Sequence, residues 1–111
     1  MWNTTGVSPN PCSDLFPGSE VSEQIVQAIG NTHGETYISG TPSDLLGPAS
    51  GATIDWTYKV AGIKYSFGSE LRPDFSSTYA FMLPEKYIIP TASEVFEGLK
   101  VVAEKVKEEF A

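Results

Sequence analysis

The stretch Lys64–Pro73, Lys-Tyr-Ser-Phe-Gly-Ser-Glu-Leu-Arg-Pro, carries the clearest signal for fold and function. Tyr65, Phe67 and Leu71 give it the aromatic, alternating character of a strand packed inside a sheet. Glu70 stands where this strand ends. In open α/β sheets, functional groups gather just beyond the carboxyl ends of the strands. A carboxylate that is desolvated on one side and open to a ligand on the other is suited to act as a general base. The stretch therefore predicts Glu70 as a catalytic candidate.

A structural role for Glu70 is the alternative. Arg72 follows it by two residues, and a local ion pair at a strand end would account for both side chains. Such pairs are common in proteins without any catalytic role. This stretch alone leaves both interpretations open.

Several separated motifs surround the strand in a definite order. They read Ala-Ser-Gly-Ala-Thr-Ile-Asp-Trp at Ala49–Trp56, Gly-Ile before Lys64, Phe-Met-Leu-Pro at Phe81–Pro84 and Ile-Ile-Pro-Thr at Ile88–Thr91. This series resembles the closing part of zinc metallocarboxypeptidases of the pancreatic A/B type. The resemblance runs from about Trp2 to the C-terminus. It implies an α/β fold, a partial mixed sheet with flanking helices, in which residues 1–111 form a single incomplete domain.

The resemblance also assigns roles to individual residues. In that family a zinc ion activates water, and the glutamate of the Glu-Leu-Arg strand takes its proton; Glu70 stands at that position. Ile54 matches the base of the pocket for the substrate's last side chain, which implies a preference for apolar or aromatic C-terminal residues. For the remaining matches, plain core packing is the alternative. The pocket wall is matched by Ala49, Ala52 and Gly68, and the border of the cleft by Phe81.

Other family residues are missing from the chain. The His-x-x-Glu pair and later histidine that hold zinc are absent, as are the arginines that grip the substrate carboxylate and the oxyanion. His33, the single histidine, has no partner at ligand spacing and is not predicted to bind metal. Zinc activation of water is worth roughly 12 kcal/mol, from a pKa change of about 15.7 to about 7. We therefore expect zinc only in the full-length enzyme, and no peptidase activity from this chain alone.

The composition of the chain limits the classes of partner that it is expected to bind. Fourteen acidic against seven basic residues give a net charge of −7, which argues against nucleic acid and anionic membranes as partners. No stretch is long and apolar enough for a membrane span, and the first residues lack a signal peptide. Cys12 is the single cysteine, so no disulfide can form within the chain. The resemblance implies an extracellular location, peptide or protein C-termini as substrates, and the remaining N-terminal part of the same domain as a partner.

Local patterns predict two long helices. The first begins at Ser19 and stops near Gly34. The second follows Pro90, with Thr91 and Glu94 as a capping box. Apolar spacing predicts their buried faces. These faces comprise Val21, Ile25, Ala28, Ile29 and Thr32 in the first helix, and Val95, Leu99, Val102, Val106 and Phe110 in the second.

The connections are predicted as follows. Residues 1–18 and Gly40–Gly51 read as loops. Short strands are expected at Thr36–Ser39 and Tyr79–Leu83, and a short helix capped by Thr53 is expected to end near Gly62. The resemblance supports a cis bond between Arg72 and Pro73. A polypeptide with so few strands should expose apolar surface, so we expect the isolated chain to associate or express poorly.

One departure keeps a second function open. The family's mobile tyrosine should lie two residues before Ala49, where this chain has Gly47. Loss of that phenol removes one hydrogen bond to a substrate. The alternative function is therefore a non-catalytic, carboxypeptidase-like binding or scaffold module.

Overall fold

The computed structural model describes residues 4–7, 19–47, 50–73 and 82–111. It contains a small mixed sheet with helices packed against it, which confirms the predicted α/β class. In chain order the elements are β1 (Thr4–Val7), α1 (Ser19–His33), β2 (Ile38–Gly40), α2 (Pro42–Leu46), α3 (Thr53–Lys59), β3 (Phe67–Ser69), a 3₁₀ turn (Glu85–Tyr87) and α4 (Ile88–Phe110).

The sheet has the strand order β2-β1-β3. The central strand β1 runs parallel to β2 and antiparallel to β3, with Thr5 opposite Ser69 and Val7 opposite Phe67. Part of the predicted loop 1–18 is therefore a strand, because two other strands provide its hydrogen-bond partners. The strand predicted within Lys64–Pro73 is shorter than expected, since its ladder with β1 spans Phe67–Ser69. Leu71 lies beyond the ladder and is 47% exposed.

Helix α1 follows its prediction. It begins at Ser19 and ends at His33, and Val21, Ile25 and Ile29 are buried as the apolar spacing indicates. Gly34 adopts a φ of 79°, and its N–H donates to the Gly30 carbonyl at 2.8 Å. Glycine takes this left-handed conformation without the steric cost that a side chain imposes, so it ends the helix.

The core lies between α1, α4 and the sheet. Val21, Ile25, Ile29 and Tyr37 form its buried centre. Partly buried apolar side chains pack around it, and these are Val26, Tyr65, Phe67, Val101 and Val102.

Helix α4 differs from its prediction in start and in orientation. It begins at Ile88, and its N-cap is Tyr87 with no side-chain cap, so Thr91 and Glu94 do not form a capping box. The buried positions are Thr91, Glu94 and Gly98, whereas three members of the predicted stripe are exposed. Their exposed fractions are 59% for Leu99, 39% for Val106 and 68% for Phe110.

The rotation of α4 has a packing reason. A Cβ added to Gly98 would lie 2.9 Å from Ile25 Cγ2, so the backbone of α4 touches the apolar face of α1. That approach requires a residue without a side chain. The face centred on Gly98 is consequently the one that meets α1, although its neighbours in sequence are more apolar.

The connecting segments also depart from the prediction in part. Pro42–Leu46 forms α2 inside the segment predicted to be a loop. The short helix α3 spans Thr53–Lys59, with Ala52 rather than Thr53 as N-cap. The strand expected at 36–39 occupies Ile38–Gly40. Of the strand expected at 79–83, residues 79–81 lie outside the described part, and Met82 and Leu83 are not in a strand.

Three further observations complete the fold. The Arg72–Pro73 peptide bond is cis, as expected. Large apolar side chains are exposed along α4, among them Ile88, Phe96 and Leu99. None of the helices formed by the described residues has the length and apolar character needed to cross a membrane.

Candidate functional site

Glu70 follows the last residue of β3 directly, and it is exposed to solvent. Its position at the end of a strand agrees with the sequence interpretation, while its exposure means that the described residues do not desolvate it. The local ion pair with Arg72 that we considered is not formed. Arg72 instead donates to Thr91, Glu35 and Glu94.

Ile54 lies against β3. Its Cδ1 and Cγ2 atoms are both 3.7 Å from the position that a Cβ would take on Gly68. The fold therefore brings together two of the predicted pocket residues, 14 positions apart in the chain (54 to 68). A Cβ at Gly68 would be in ordinary van der Waals contact with both atoms, so Ile54 packs directly against this point of β3.

Two hydroxyl groups hold the backbone beneath Ile54. The Thr57 hydroxyl donates to the Ile54 carbonyl at 3.0 Å and the Ser66 hydroxyl donates to the same oxygen at 3.2 Å. The two hydroxyls also contact each other. Ser66 is buried, and this group of part-buried hydrogen bonds links α3 to the residue that precedes β3. This pair could not be predicted from the sequence, because a threonine and a serine beside apolar positions are too common to be a specific signal.

The other predicted pocket residues lie apart or outside the described structure. Ala52 lines a surface groove along α3 rather than the contact between Ile54 and Gly68. Ala49 and Phe81 fall outside the described residues. The groove is lined by Gly51, Ala52, Thr53, Asp55, Trp56, Lys59 and Val60.

A buried polar cluster lies two residues beyond Glu70. The Arg72 guanidinium donates from Nε to Thr91 Oγ1 at 2.8 Å, from Nη1 to Glu35 Oε1 at 2.7 Å and from Nη2 to Glu94 Oε1 at 2.8 Å. His33 Nδ1 lies 2.9 Å from the same Glu94 oxygen. The Glu94 side chain is fully buried and that of Arg72 is 11% exposed. This cluster joins the ends of α1, β3 and α4.

The cluster affects a neighbouring tyrosine. Tyr37 is 2% exposed, and burial is the main cause that raises its pKa, with the negative charge of Glu94 acting in the same direction. Within the described residues, the Tyr37 hydroxyl and Glu94 Oε2 are buried without a hydrogen-bond partner. Tyr87 covers another side of the cluster, with its ring centre 5.5 Å from Arg72 Cζ.

The described residues do not fit a zinc site. They contain no group of three or more histidine, cysteine or acidic residues that could hold a metal ion. His33 is engaged with Glu94, and the carboxylates of Glu94 and Glu35 face the positive charge of Arg72. The positive charge in this cluster is the Arg72 guanidinium. It already pairs with Glu35 and Glu94, whose carboxylates a metal ion would need as ligands.

Gly47 has a special backbone conformation. Its φ is 87°, and a Cβ built on it would meet no atom of the described residues within 4 Å. A tyrosine at this position would be strained in its backbone. The local backbone is therefore adapted to glycine.

Comparison with known proteins agrees with the motif order. The sequence profile described as zinc carboxypeptidase matches residues 1–98. Rat (Rattus norvegicus) carboxypeptidase A2 is 44% identical over 89 residues, which are 80% of this chain and 21% of that protein. Carboxypeptidase B from Astacus astacus is 36% identical over 110 residues, 99% of this chain and 35% of that protein.

A solved structure gives the same result at the level of the fold. Bovine thrombin-activatable fibrinolysis inhibitor, solved in complex with tick carboxypeptidase inhibitor, superposes with a TM-score of 0.81 at 35% identity. The superposition covers 98% of this chain and 38% of that one. The chain spans between about a fifth and about a third of the length of the two curated relatives named above. The profile match, the identities and the superposition together show that this chain belongs to the zinc carboxypeptidase family.

Proposed function

We propose that this chain is the closing part of a zinc metallocarboxypeptidase that removes apolar or aromatic C-terminal residues from peptides. Within that enzyme it supplies the general base, Glu70, and part of the specificity pocket around Ile54. The observation that carries the proposal is the placement of Glu70 at the end of β3, the strand on which Ile54 packs at Gly68.

The chemistry of Glu70 follows from its residue type. A carboxylate that accepts a proton from the attacking water generates the nucleophile, and it can later give that proton to the leaving amine. An exposed carboxylate at a strand end is accessible to both groups. In this proposal, water is excluded from Glu70 by the bound substrate and by parts of the domain other than the described residues.

The specificity follows from the surface around Ile54. A branched apolar side chain packed on Gly68 offers no charge or hydrogen bond to the substrate's last side chain. Such a surface favours apolar and aromatic ends, since the unpaired charge of a basic end would be desolvated there without compensation. Ala49, Ala52 and Phe81 are proposed to complete the pocket wall and the cleft border.

The zinc ion belongs to ligands that the resemblance places outside residues 1–111. Zinc provides family members with an activated water, and the groups found in this chain do not replace it. We therefore propose that the isolated chain is inactive as a peptidase. An extracellular location, with peptide or protein C-termini as substrates, is part of the same proposal because it follows from family membership.

A chimera tests the proposal. In it, this chain replaces the matching segment of rat carboxypeptidase A2, and hydrolysis of a peptide with a C-terminal phenylalanine is measured at known zinc content. We expect hydrolysis by the chimera and a loss of about 100- to 10,000-fold in kcat for Glu70→Gln. Glu85→Gln, an exposed carboxylate of the 3₁₀ turn, is the matched control and should leave kcat unchanged. A folded, zinc-loaded chimera with equal activity in Glu70→Gln and Glu85→Gln contradicts the proposal.

The pocket is tested in the same chimera. Ile54→Asp places a carboxylate at the base of the pocket, so the preference should move from a C-terminal phenylalanine towards a C-terminal lysine. The ratio of the two kcat/KM values measures this change. An unchanged ratio in a folded variant contradicts the role of Ile54.

The second candidate function is a non-catalytic binding or scaffold module. It is favoured by Gly47, whose positive φ disfavours the tyrosine that would cover a bound substrate. A folded, zinc-loaded chimera that binds tick carboxypeptidase inhibitor but hydrolyses no C-terminal residue supports this candidate. Hydrolysis that depends on Glu70 excludes it.

A further inference from the structure

We propose that Arg72 is a positioning residue, which holds Glu70 in place through its buried ion pair with Glu94. The inference rests on the proposed function of Glu70 as general base. It concerns a different group of atoms, the side chains of Arg72 and Glu94, which are only 11% and 0% exposed. Glu94 in particular is fully buried.

Glu70 lies in the chain between a residue paired in the sheet and a residue of the polar cluster. Ser69, the residue before it, is paired with Thr5 of β1. After Glu70 the ladder ends, and Leu71 is 47% exposed. The next residue is Arg72. Successive Cα atoms are about 3.8 Å apart, so a fixed Ser69 and a fixed Arg72 leave two residues between them with little freedom. If Arg72 were free, Glu70 would be held from one side only.

Arg72 is anchored by three side-chain hydrogen bonds. Its Nε, Nη1 and Nη2 atoms each donate to a different side chain, and the three distances lie between 2.7 and 2.8 Å. The acceptors belong to two separate parts of the chain, the segment after α1 and the first turns of α4. A planar guanidinium with several simultaneous bonds has a defined orientation, which the flexible ammonium of lysine does not reproduce.

Glu94, the partner of Arg72, is itself held in place. Glu94 is 0% exposed. Its Oε1 atom lies 2.8 Å from Arg72 Nη2 and 2.9 Å from His33 Nδ1. A buried carboxylate with these contacts cannot move without losing them, and α4 carries it on a helix packed against α1. The end of β3 is thereby held in a fixed position relative to the packed helices α1 and α4.

Stability alone does not require such a pair. Buried ion pairs are often no more stabilising than apolar residues of the same volume, because desolvation offsets their attraction. What the pair provides beyond an apolar contact is direction. It fixes the angle and the depth at which the strand leaves the sheet, and the proposed base lies at that point.

The first experiment uses the full chain and needs no activity. Backbone order parameters from NMR relaxation are compared for the parent, Glu94→Gln and Glu109→Gln. Glu109→Gln is the matched control, since it also replaces a paired carboxylate of α4 by an amide, at the exposed pair with Lys64. We expect order parameters near 0.85 at Glu70 and Leu71 in the parent and the control, and below about 0.6 in Glu94→Gln. Equal values in all three proteins overturn the proposal.

Thr91→Val extends this test to a milder change. It removes the acceptor of one Arg72 bond while keeping the shape of the side chain, so it also tests the proposal if Glu94→Gln fails to fold. The order parameters at Glu70 and Leu71 should lie between those of the parent and the values below about 0.6 expected for Glu94→Gln. If Arg72 loses order in this variant while Glu70 does not, Arg72 does not position Glu70.

The second experiment uses the chimera with rat carboxypeptidase A2. A displacement of the base by about 1 Å lowers kcat by about 100-fold, so we expect Arg72→Lys to lose between about 10- and 100-fold in kcat per zinc-loaded enzyme. KM should change less than twofold, because the pocket around Ile54 is untouched. A lower melting temperature with unchanged kcat shows a merely structural role and overturns the proposal.

The two experiments separate this inference from the proposed function. An inactive parent chimera contradicts the function proposed for Glu70. The order parameters of the full chain still decide whether Arg72 and Glu94 fix the backbone at residue 70.

Discussion

Replacement of Gly98 by alanine tests the contact on which the core depends. An alanine Cβ at this position would lie 2.9 Å from Ile25 Cγ2 and 3.3 Å from Ile29 Cδ1 and Cγ1. Carbon atoms prefer separations of about 3.5–4.0 Å. Cγ2 of Ile25 is attached to a branched Cβ with one preferred χ1 in a helix. The methyl group therefore cannot turn aside, and α1 and α4 must separate.

Two opposing effects set the magnitude. Alanine stabilises a helix interior over glycine by about 0.8–1.0 kcal/mol, while overpacking of a core costs about 1–3 kcal/mol. We expect Gly98→Ala to lower the free energy of unfolding by about 1 kcal/mol. Gly30→Ala is the control, because its nearest neighbour outside its own helix turn would be Glu35 O at 3.4 Å. With less crowding, Gly30→Ala should keep most of the propensity gain of up to about 1 kcal/mol.

Urea unfolding of the full chain, followed by far-UV circular dichroism, measures the difference. The two variants should differ by about 2 kcal/mol in opposite directions from the parent. Measurement at two protein concentrations shows whether the expected self-association contributes. If Gly98→Ala is as stable as Gly30→Ala, then α4 does not approach α1 through Gly98, and the account of the helix orientation is wrong.

Two further predictions concern the pH dependence of stability. Burial raises the pKa of Tyr37 above its ordinary value of 10.0, so its contribution to stability is present below pH 10.0 and is lost as the pH rises through the folded pKa. Tyr37→Phe should therefore resist alkaline unfolding and remove a late step from the absorbance titration at 295 nm; an unchanged titration contradicts this. Hydrogen bonds from the Lys64 ammonium, which has the larger effect, and from the Tyr65 hydroxyl lower the pKa of Glu109 below its ordinary value of 4.5. Its contribution to stability is present above pH 4.5 and is lost as the pH falls through the lowered value. Glu109→Gln should flatten the acid side of the stability profile, and a carboxyl titration by NMR at the ordinary value counts against the pair.

The family and much of the local structure could be predicted from the sequence. The order of the motifs from Ala49 to Thr91 is a property of the chain itself, and the family profile agrees with it. The buried face of α1 was also predictable, because Val21, Ile25 and Ile29 are the only large apolar residues at one consistent helical spacing there, and a single face leaves no choice of orientation.

The face of α4 could not be predicted in the same way. Apolar residues occur on more than one side of this helix, with Leu99 and Phe110 on the exposed side and Val101 and Val102 against the core. Periodicity alone gives no ranking between such faces. The orientation of α4 is set by Gly98, whose lack of a side chain allows close packing on α1, and by Glu94, whose buried carboxylate pairs with Arg72.

The same distinction applies to the candidate site, where some residues could be identified from the sequence and others could not. Glu70 could be identified because it immediately follows a strand pattern, and Ile54 because it belongs to a contiguous motif. The polar cluster could not, since Arg72 is 22 residues from Glu94 and 37 from Glu35, while His33 is 61 residues from Glu94. In the sequence, Thr91 and Glu94 match a capping box, which is a sufficient local explanation.

The sequence by itself determined the family, the class of fold, the extent of α1 and the position of the proposed base after β3. These follow from neighbouring residues, through helical spacing, strand alternation and motif order. The tertiary structure alone decided which side of α4 is buried, that Thr4–Val7 is a strand, and where the Arg72 guanidinium finds its partners. Each of these depends on atoms that are far apart in the chain and meet only when the helices and the sheet are packed, because a buried charge or a strand edge is stable only beside its partner.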